Sequence, residues 1–252
     1  MLLNSLLEQY MSQLSRLPER ALTAQDLLKE PILLDKDGDL EVYYAPHNDY
    51  LQPKAKLMIV GITPGWNQMK VSWETAARAV REGCSPEDVC RRAKEAACFV
   101  GSMRHNLIGM LDKLEVHRYL GIPSAGTLFA EHQTLVHTTS LLRYPVFYKG
   151  KNYTGSTPRL AGNGFLRSKA VAGMEQELAH LSSPLLIPLG RAVEDILRTL
   201  TERGSLKESD VLWGFPHPSG ANGHRHKQFD DAFAGMQARL HHFATNSWKN
   251  LI

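Results

Sequence analysis

The sequence predicts an α/β protein, a three-layer α/β/α sandwich with a central, mostly parallel sheet of four to five strands. Three observations carry that prediction. The apolar runs KLMIVGI (56–62) and LLIPLG (185–190) barely alternate, as strands buried on both faces do. Helical stretches separate the strand-like runs, which implies parallel βαβ units. A chain of 252 residues, 43% apolar and 22% charged, suffices for one sizeable globular domain. The expected organisation is a single domain over 1–252, with 1–38 an N-terminal helical extension packed on it.

The chain opens on MLLNSLLEQYMSQLSRL, where Leu3, Leu6, Leu7, Tyr10, Leu14 and Leu17 follow helical spacing. Glu8 interrupts any continuous apolar core, so this reads as an amphipathic surface helix and not a signal peptide. A short helical or loop segment to about residue 38 precedes the strands LEVYYA (40–45) and KLMIVGI. WETAARAVREG is a helix ending at Gly83. SPEDVCRRAKEAACF is another, with Ser85 as N-cap, Pro86 in the first helical position and Glu87 and Asp88 in the first turn. MRHNLIGMLDKL (103–114) is a third. TLVHTTSLL (134–142) reads as a strand, FLRSKAVAGMEQELAHL (165–181) as a helix, and LLIPLG as a strand whose Gly190 opens the helix RAVEDILRTLTERG. DVLWGF (210–215) is the last expected strand. A closing helix runs from about His226, with Phe229, Phe233, Met236, Leu240 and Phe243 on one face.

Composition narrows the function classes. No run reaches membrane-spanning length. Cys84, Cys90 and Cys98 form neither a disulfide framework nor a zinc pattern, and buried thiols in a reducing cytoplasm are the expectation. No metal, cofactor or obligate protein partner is implied. A formal net charge of +3 is too small by itself to announce a nucleic-acid partner. Local charge says more. Residues 132–174 lack Asp and Glu but carry Arg143, Lys149, Lys151, Arg159, Arg167 and Lys169, interleaved with Tyr144, Phe147, Tyr148 and Tyr153. Such a segment suits phosphate contacts and base stacking; the plainer reading is a solvated basic loop with core aromatics.

Two Gly/Pro-rich turns, GITPG (61–65) and FPHPSGANGHR (215–225), fall just past strand ends, where open α/β sheets bind ligands, so they are expected to share one crevice. Either one alone is an ordinary turn. Their joint order, with LLIPLG and its helix between them, resembles the uracil-DNA glycosylase superfamily. That superfamily has a G-x-x-P-G motif after an early core strand and H-P-S or a variant after the last one. VHTTSLLRYP (136–145) is similar to its middle strand, which carries a base-recognition residue. The likeness spans about residues 40–240 at motif level, and the layout resembles mismatch-specific and single-strand-selective members.

The resemblance implies base flipping and cleavage of an N-glycosidic bond in DNA, duplex or single-stranded. His217 takes the place of the histidine that donates to the base oxygen where negative charge develops. Ser219 and Gly220 suit a phosphate, and the following loop, with Asn222 as wedge and His224, Arg225 and Lys227 as cations, would reach the duplex. Gly61, Ile62, Pro64 and Gly65 would floor the base pocket, with Trp66, Asn67, Gln68, Thr139 and Ser140 around it. The first motif departs from the family. Better-known branches carry Asp or Asn before the motif's proline, or Glu after its first glycine; those places hold Thr63 and Ile62. Threonine is no base near neutral pH, so Asp49 in PHNDY is the first candidate carboxylate, with an ordinary turn residue as the alternative. The middle strand reads Thr138-Thr139-Ser140 where uracil-selective branches place asparagine. Together these departures imply an altered pyrimidine other than plain uracil, such as a hypermodified cytosine of phage DNA. A non-catalytic DNA-binding relative is the alternative.

Overall fold

The computed structural model describes residues 1–4, 6–99 and 101–248. In chain order its elements are helices α1 (Leu6–Arg16) and α2 (Ala24–Leu27), strands β1 (Leu33–Asp37), β2 (Leu40–Tyr43) and β3 (Leu57–Gly61), then helices α3 (Trp66–Arg81), α4 (Pro86–Ala97), α5 (Ser102–Lys113) and α6 (Val116–Leu120). There follow β4 (Val136–Ser140), β5 (Val146–Tyr148), β6 (Lys151–Asn152), α7 (Gly164–Leu178), β7 (Leu185–Pro188), α8 (Arg191–Glu202) and α9 (Arg225–Ser247). The chain divides into two compact units. One comprises Met1–Leu51, Ile62–Cys98 and Leu142–Gly173; the other comprises Gln52–Gly61, Phe99–Leu141 and the chain from Met174 on.

The first unit holds a four-stranded antiparallel sheet in the order β1-β2-β5-β6. β1 and β2 join through Gly38-Asp39, with Asp37 opposite Leu40 and Gly38 at φ +58°. A glycine at the first place of a two-residue loop is a hairpin signal. β5 and β6 join through Lys149-Gly150, both at positive φ. The segment expected to be helix or loop up to residue 38 therefore contains a strand, and the basic, aromatic segment contains a hairpin. Helix α1 forms where the leucine spacing predicts it, with Leu7, Tyr10 and Leu14 buried. Those side chains join Tyr44, Met69 and Trp73 in one core, where the Tyr10 and Tyr44 rings stack at 4.2 Å and the Trp73 indole donates to the Tyr44 carbonyl at 2.9 Å.

The second unit is built on a parallel sheet in the order β4-β3-β7. β3 and β7 are buried along their whole length, as their apolar runs require, and β4 is buried too although four of its five residues are polar. DVLWGF does not form a full strand. Only Val211 makes a parallel bridge to Leu186, and Leu212 N–H donates to the Leu186 carbonyl at 2.9 Å. Gly214, at φ +91°, then turns the chain away. The architecture is thus mixed α/β with a three-stranded parallel sheet and a separate antiparallel one, in place of one parallel sheet of four to five strands. Alternation of helices and strands misled the expectation because the hairpin strands contribute to a different sheet.

No helix among the described residues is long and apolar enough to cross a membrane, and no group of three or more His, Cys, Asp or Glu among them is placed to hold a metal ion.

Candidate functional site

Within the second unit, the HPSG turn is held from several sides. Gly190, which caps α8, has φ +88°, and a Cβ placed on it would lie 3.0 Å from the Cβ of His217. Only glycine lets the two backbones approach this closely. Gly190 N–H donates to the Phe215 carbonyl at 3.0 Å, and Asn222 Nδ2 donates to the His217 carbonyl at 3.2 Å. Asn106, on α5, donates from Nδ2 to the Pro218 carbonyl at 2.8 Å. Ser219 N–H donates to Nδ1 of His217 at 3.2 Å. A nitrogen that accepts is unprotonated, so the ring carries its hydrogen on Nε2. Burial holds the pKa of His217 below the usual histidine value, which keeps the ring neutral near neutral pH. The imidazole is therefore a neutral donor through Nε2–H.

His217 lines an open cleft of about 500 Å³, together with Gly190, Arg191, Asn222 and Gln228. Arg198, farther along α8, also faces the cleft, its guanidinium 4.3 Å from the Trp213 ring centre. Of the expected DNA contacts, Gly220, His224 and Lys227 are exposed, and Ser219 and Arg225 half-buried. Ser219 Oγ accepts from Ala221 N–H at 3.2 Å, and Lys227 pairs with Asp231 at 2.6 Å one helical turn on. Asn222 is committed to the turn: its Nδ2 also donates to Gln228 at 2.9 Å. Its amide braces the turn from inside, which is not the role of a wedge.

The first motif is divided at its first glycine. Gly61 closes β3 in the second unit, in register with Ser140. Ile62 to Gln68 belong to the first unit. There Thr63 Oγ1 accepts from Val146 N–H at 3.0 Å and donates to the Tyr144 carbonyl at 3.1 Å. Its hydroxyl pins the turn to the start of β5 and has no further proton to give a water. Pro64 is buried. Helix α3 starts at Trp66, earlier than its apolar periodicity indicates, because Asn152 Oδ1 accepts from Trp66 N–H at 2.9 Å. Gln68 spends its amide on Gly65 N–H at 3.2 Å and the Ala97 carbonyl at 3.2 Å, so it is a capping residue. Asn67 is exposed, and Trp66 packs half-buried against the first-unit core.

Asp49 lies in a short 3₁₀ turn, Pro46–Asp49, and is fully buried. Tyr44 and Tyr144 donate their hydroxyls to its two carboxylate oxygens at 2.8 and 2.6 Å. Burial pushes its pKa up to about 6, against the two tyrosine hydrogen bonds and the charges of Arg143 and Lys94, which pull it down. Next to it His47 is buried with neither ring nitrogen hydrogen-bonded, and burial drives its pKa down to about 3. Asn48 donates to the Arg143 carbonyl at 2.7 Å, and Lys94 to the Tyr50 carbonyl at 2.7 Å. A carboxyl sealed behind two phenols cannot activate a water for attack. The expected role of Asp49 is corrected to that of a buried anchor.

The middle strand shows a similar outcome. Thr139 Oγ1 donates to Glu177 Oε1 at 3.0 Å, and His137 Nε2 lies 3.0 Å from Glu177 Oε2. All three are buried, so Thr139 fastens β4 to α7 and its hydroxyl is not offered to a base. Sequence reasoning passed over His137 and Glu177; the i, i+2 spacing of His137 and Thr139 on one strand face was the available signal. Arg143, expected on phosphates, is buried and donates to the Gly173 carbonyl at 3.3 Å. Phe147 and Tyr153 are buried and Tyr144 is spent on Asp49, so these aromatics are core. Lys149 lies 3.6 Å from Asp39, while Lys151 and Arg159 are exposed.

Fold and site together define a mixed α/β protein whose second unit, built on a parallel sheet, carries a neutral, oriented histidine at the wall of an open cleft. No family model matches the chain. It is 44% identical over 241 residues, covering 95% of this chain and 94% of the relative, to the protein of Bacillus subtilis (strain 168) described as "Uncharacterized protein YoxB". The chain belongs to the family of that protein.

Proposed function

We propose that the protein is a monofunctional DNA glycosylase that flips an altered pyrimidine out of DNA and cleaves its glycosidic bond, leaving an abasic site. The observation that carries this reading is His217: a neutral ring, oriented by Ser219 N–H, with Nε2–H as its donor beside a cleft of about 500 Å³. In the reaction the bond between the base nitrogen and the sugar C1′ breaks and its electron pair leaves with the base. Nε2–H of His217 stabilises the oxygen on which that charge collects. Water then adds to the oxocarbenium carbon and releases its proton to solvent. This dissociative route makes little demand for a general base, consistent with Thr63 and Asp49 both being committed to structure. The Leu186–Val211 bridge beside β7 supports kinship with a sandwich of four parallel strands, the fourth reduced to one residue pair. A hypermodified cytosine of phage DNA fits the absence of an amide reader on β4, and such an enzyme would act in the cytoplasm on the nucleoid or on invading DNA.

The test is incubation of the purified protein with DNAs containing uracil, mismatches or phage-type modified cytosines, followed by alkali. Strand breaks from the wild type, lost in His217→Ala with binding retained, support the proposal. The engagement of Thr63 and Asp49 favours one other reading, a DNA-binding relative without catalysis. Binding without abasic product on every substrate would select it, and failure to bind DNA at low salt would overturn both.

A further inference from the structure

The geometry assigns Asn106 as the positioning residue that fixes the proton of His217 on Nε2, acting through one peptide plane. The carbonyl of Pro218 and the N–H of Ser219 belong to the same peptide group. Asn106 Nδ2 donates to that carbonyl at 2.8 Å, and the N–H at the other end donates to His217 Nδ1 at 3.2 Å. A peptide group is planar and stiff, so holding its oxygen also holds the direction of its N–H. The chain is polarised in one sense as well. A carbonyl that accepts makes its own N–H a stronger donor, and the imidazole is the last acceptor in the line.

The other tethers of the turn act elsewhere. Pro218 has no N–H of its own, so the Ser219 amide is the first backbone donor after the histidine. Asn222 holds the His217 carbonyl, on the opposite side of the histidine's own backbone, and Gly190 sets how closely the turn approaches α8. Neither acts on the peptide between Pro218 and Ser219. Asn106 alone among these tethers reaches it, from a helix more than one hundred residues away in sequence. Nothing local marks this, since MRHNLIGMLDKL reads only as a helix.

The consequence is a definite acid–base behaviour. A hydrogen bond received at Nδ1 exists only while the ring is neutral and carries its proton on Nε2. Releasing the Ser219 N–H therefore lets the two tautomers mix and makes protonation of the ring easier.

The relevance of this control to turnover rests on the glycosylase reading, but its test does not. The ring nitrogens of His217 are followed by nitrogen-15 NMR across pH in the full-length protein, assigned by the signal missing from His217→Gln. The wild type should show a single Nε2–H tautomer. In Asn106→Ala, and in Asn106→Asp where the shape is kept but the donor is lost, the shifts should move toward an average of both tautomers and the midpoint should rise toward that of free histidine. Asn106→Gln, which can still donate, should restore the wild-type pattern at least in part. Unchanged tautomer and midpoint in both Asn106→Ala and Asn106→Asp, with thermal unfolding showing them folded, would overturn the assignment. On a DNA that the wild type cleaves, the same variants should lower kcat about tenfold, with DNA binding within twofold of wild type. If the wild type releases no base from any DNA, the glycosylase reading fails while the NMR result still decides the role of Asn106.

Discussion

Removing Thr63 Oγ1 leaves the Val146 N–H and the Tyr144 carbonyl without their partner. Thr63→Ala should therefore cost about 1–3 kcal/mol of stability, while Thr63→Ser, which keeps the oxygen, should cost less than about 1 kcal/mol. Denaturant midpoints of the three proteins check this, and equal loss in both variants would show that the methyl matters and the hydroxyl does not. Glycines differ from one another in the same way. Gly65 has φ −87°, and a Cβ there meets only the Asn152 amide at 3.6 Å, an ordinary contact. Gly190 stands at φ +88° against the Cβ of His217. Gly65→Ala should be tolerated within about 0.5 kcal/mol, whereas Gly190→Ala should lose more than about 1 kcal/mol and displace the histidine. If Gly65→Ala stays folded yet loses activity, the space above the turn belongs to substrate.

At the scale of elements, the buried turn carrying Asp49 makes stability depend on pH. The folded value of about 6 lies above that of an exposed aspartate, about 3.9. Between those values the folded chain holds a proton that the unfolded chain has released. Stability is fully present below about pH 4 and falls as pH rises through about 6, by on the order of 2–3 kcal/mol. Asp49→Asn does not titrate, so the stability difference between wild type and variant should shift against the wild type over that window and be flat above pH 7. Urea melts at four pH values would show it, and a flat difference throughout would mean the carboxyl titrates normally. Elements also explain what could be read in advance. Ser85 caps α4 as expected, with Asp88 N–H donating to its Oγ at 3.2 Å, because a cap is decided by residues three apart. Gly38-Asp39 is a two-residue hairpin signal that the sequence reading passed over in favour of helix or loop. The Tyr144–Asp49 bond spans 95 positions and Asn106–Pro218 spans 112, and no local pattern encodes such pairs.

For the molecule as a whole, the modest excess of positive charge sets how DNA would be held. Arg143 is buried, and Lys149, Lys169 and Lys227 pair with Asp39, Asp35 and Asp231. Half of the six cations in the basic segment, Arg143, Lys149 and Lys169, are thus engaged within the protein. Under the glycosylase reading, the slope of log affinity against log salt should be shallow, about −2 to −4. Anisotropy titrations from 50 to 200 mM salt, about the range over which such slopes are read, would measure it. A slope beyond about −6 would mean that surface pairs open to grip the backbone.

The chain passes five times between its two units, since each is made of three separate stretches. During synthesis the β1–β2 hairpin leaves the ribosome early, but its neighbour β5 follows only after about a hundred more residues, Leu40 pairing with Tyr148. The first unit cannot close until translation has passed Gly173, when the longest stretch of the second, from Met174 on, has yet to be made. At typical rates of about 5–20 residues per second, a half-made sheet edge stays unpaired for several seconds. Nascent chains of this protein should therefore call on chaperones more than their size suggests.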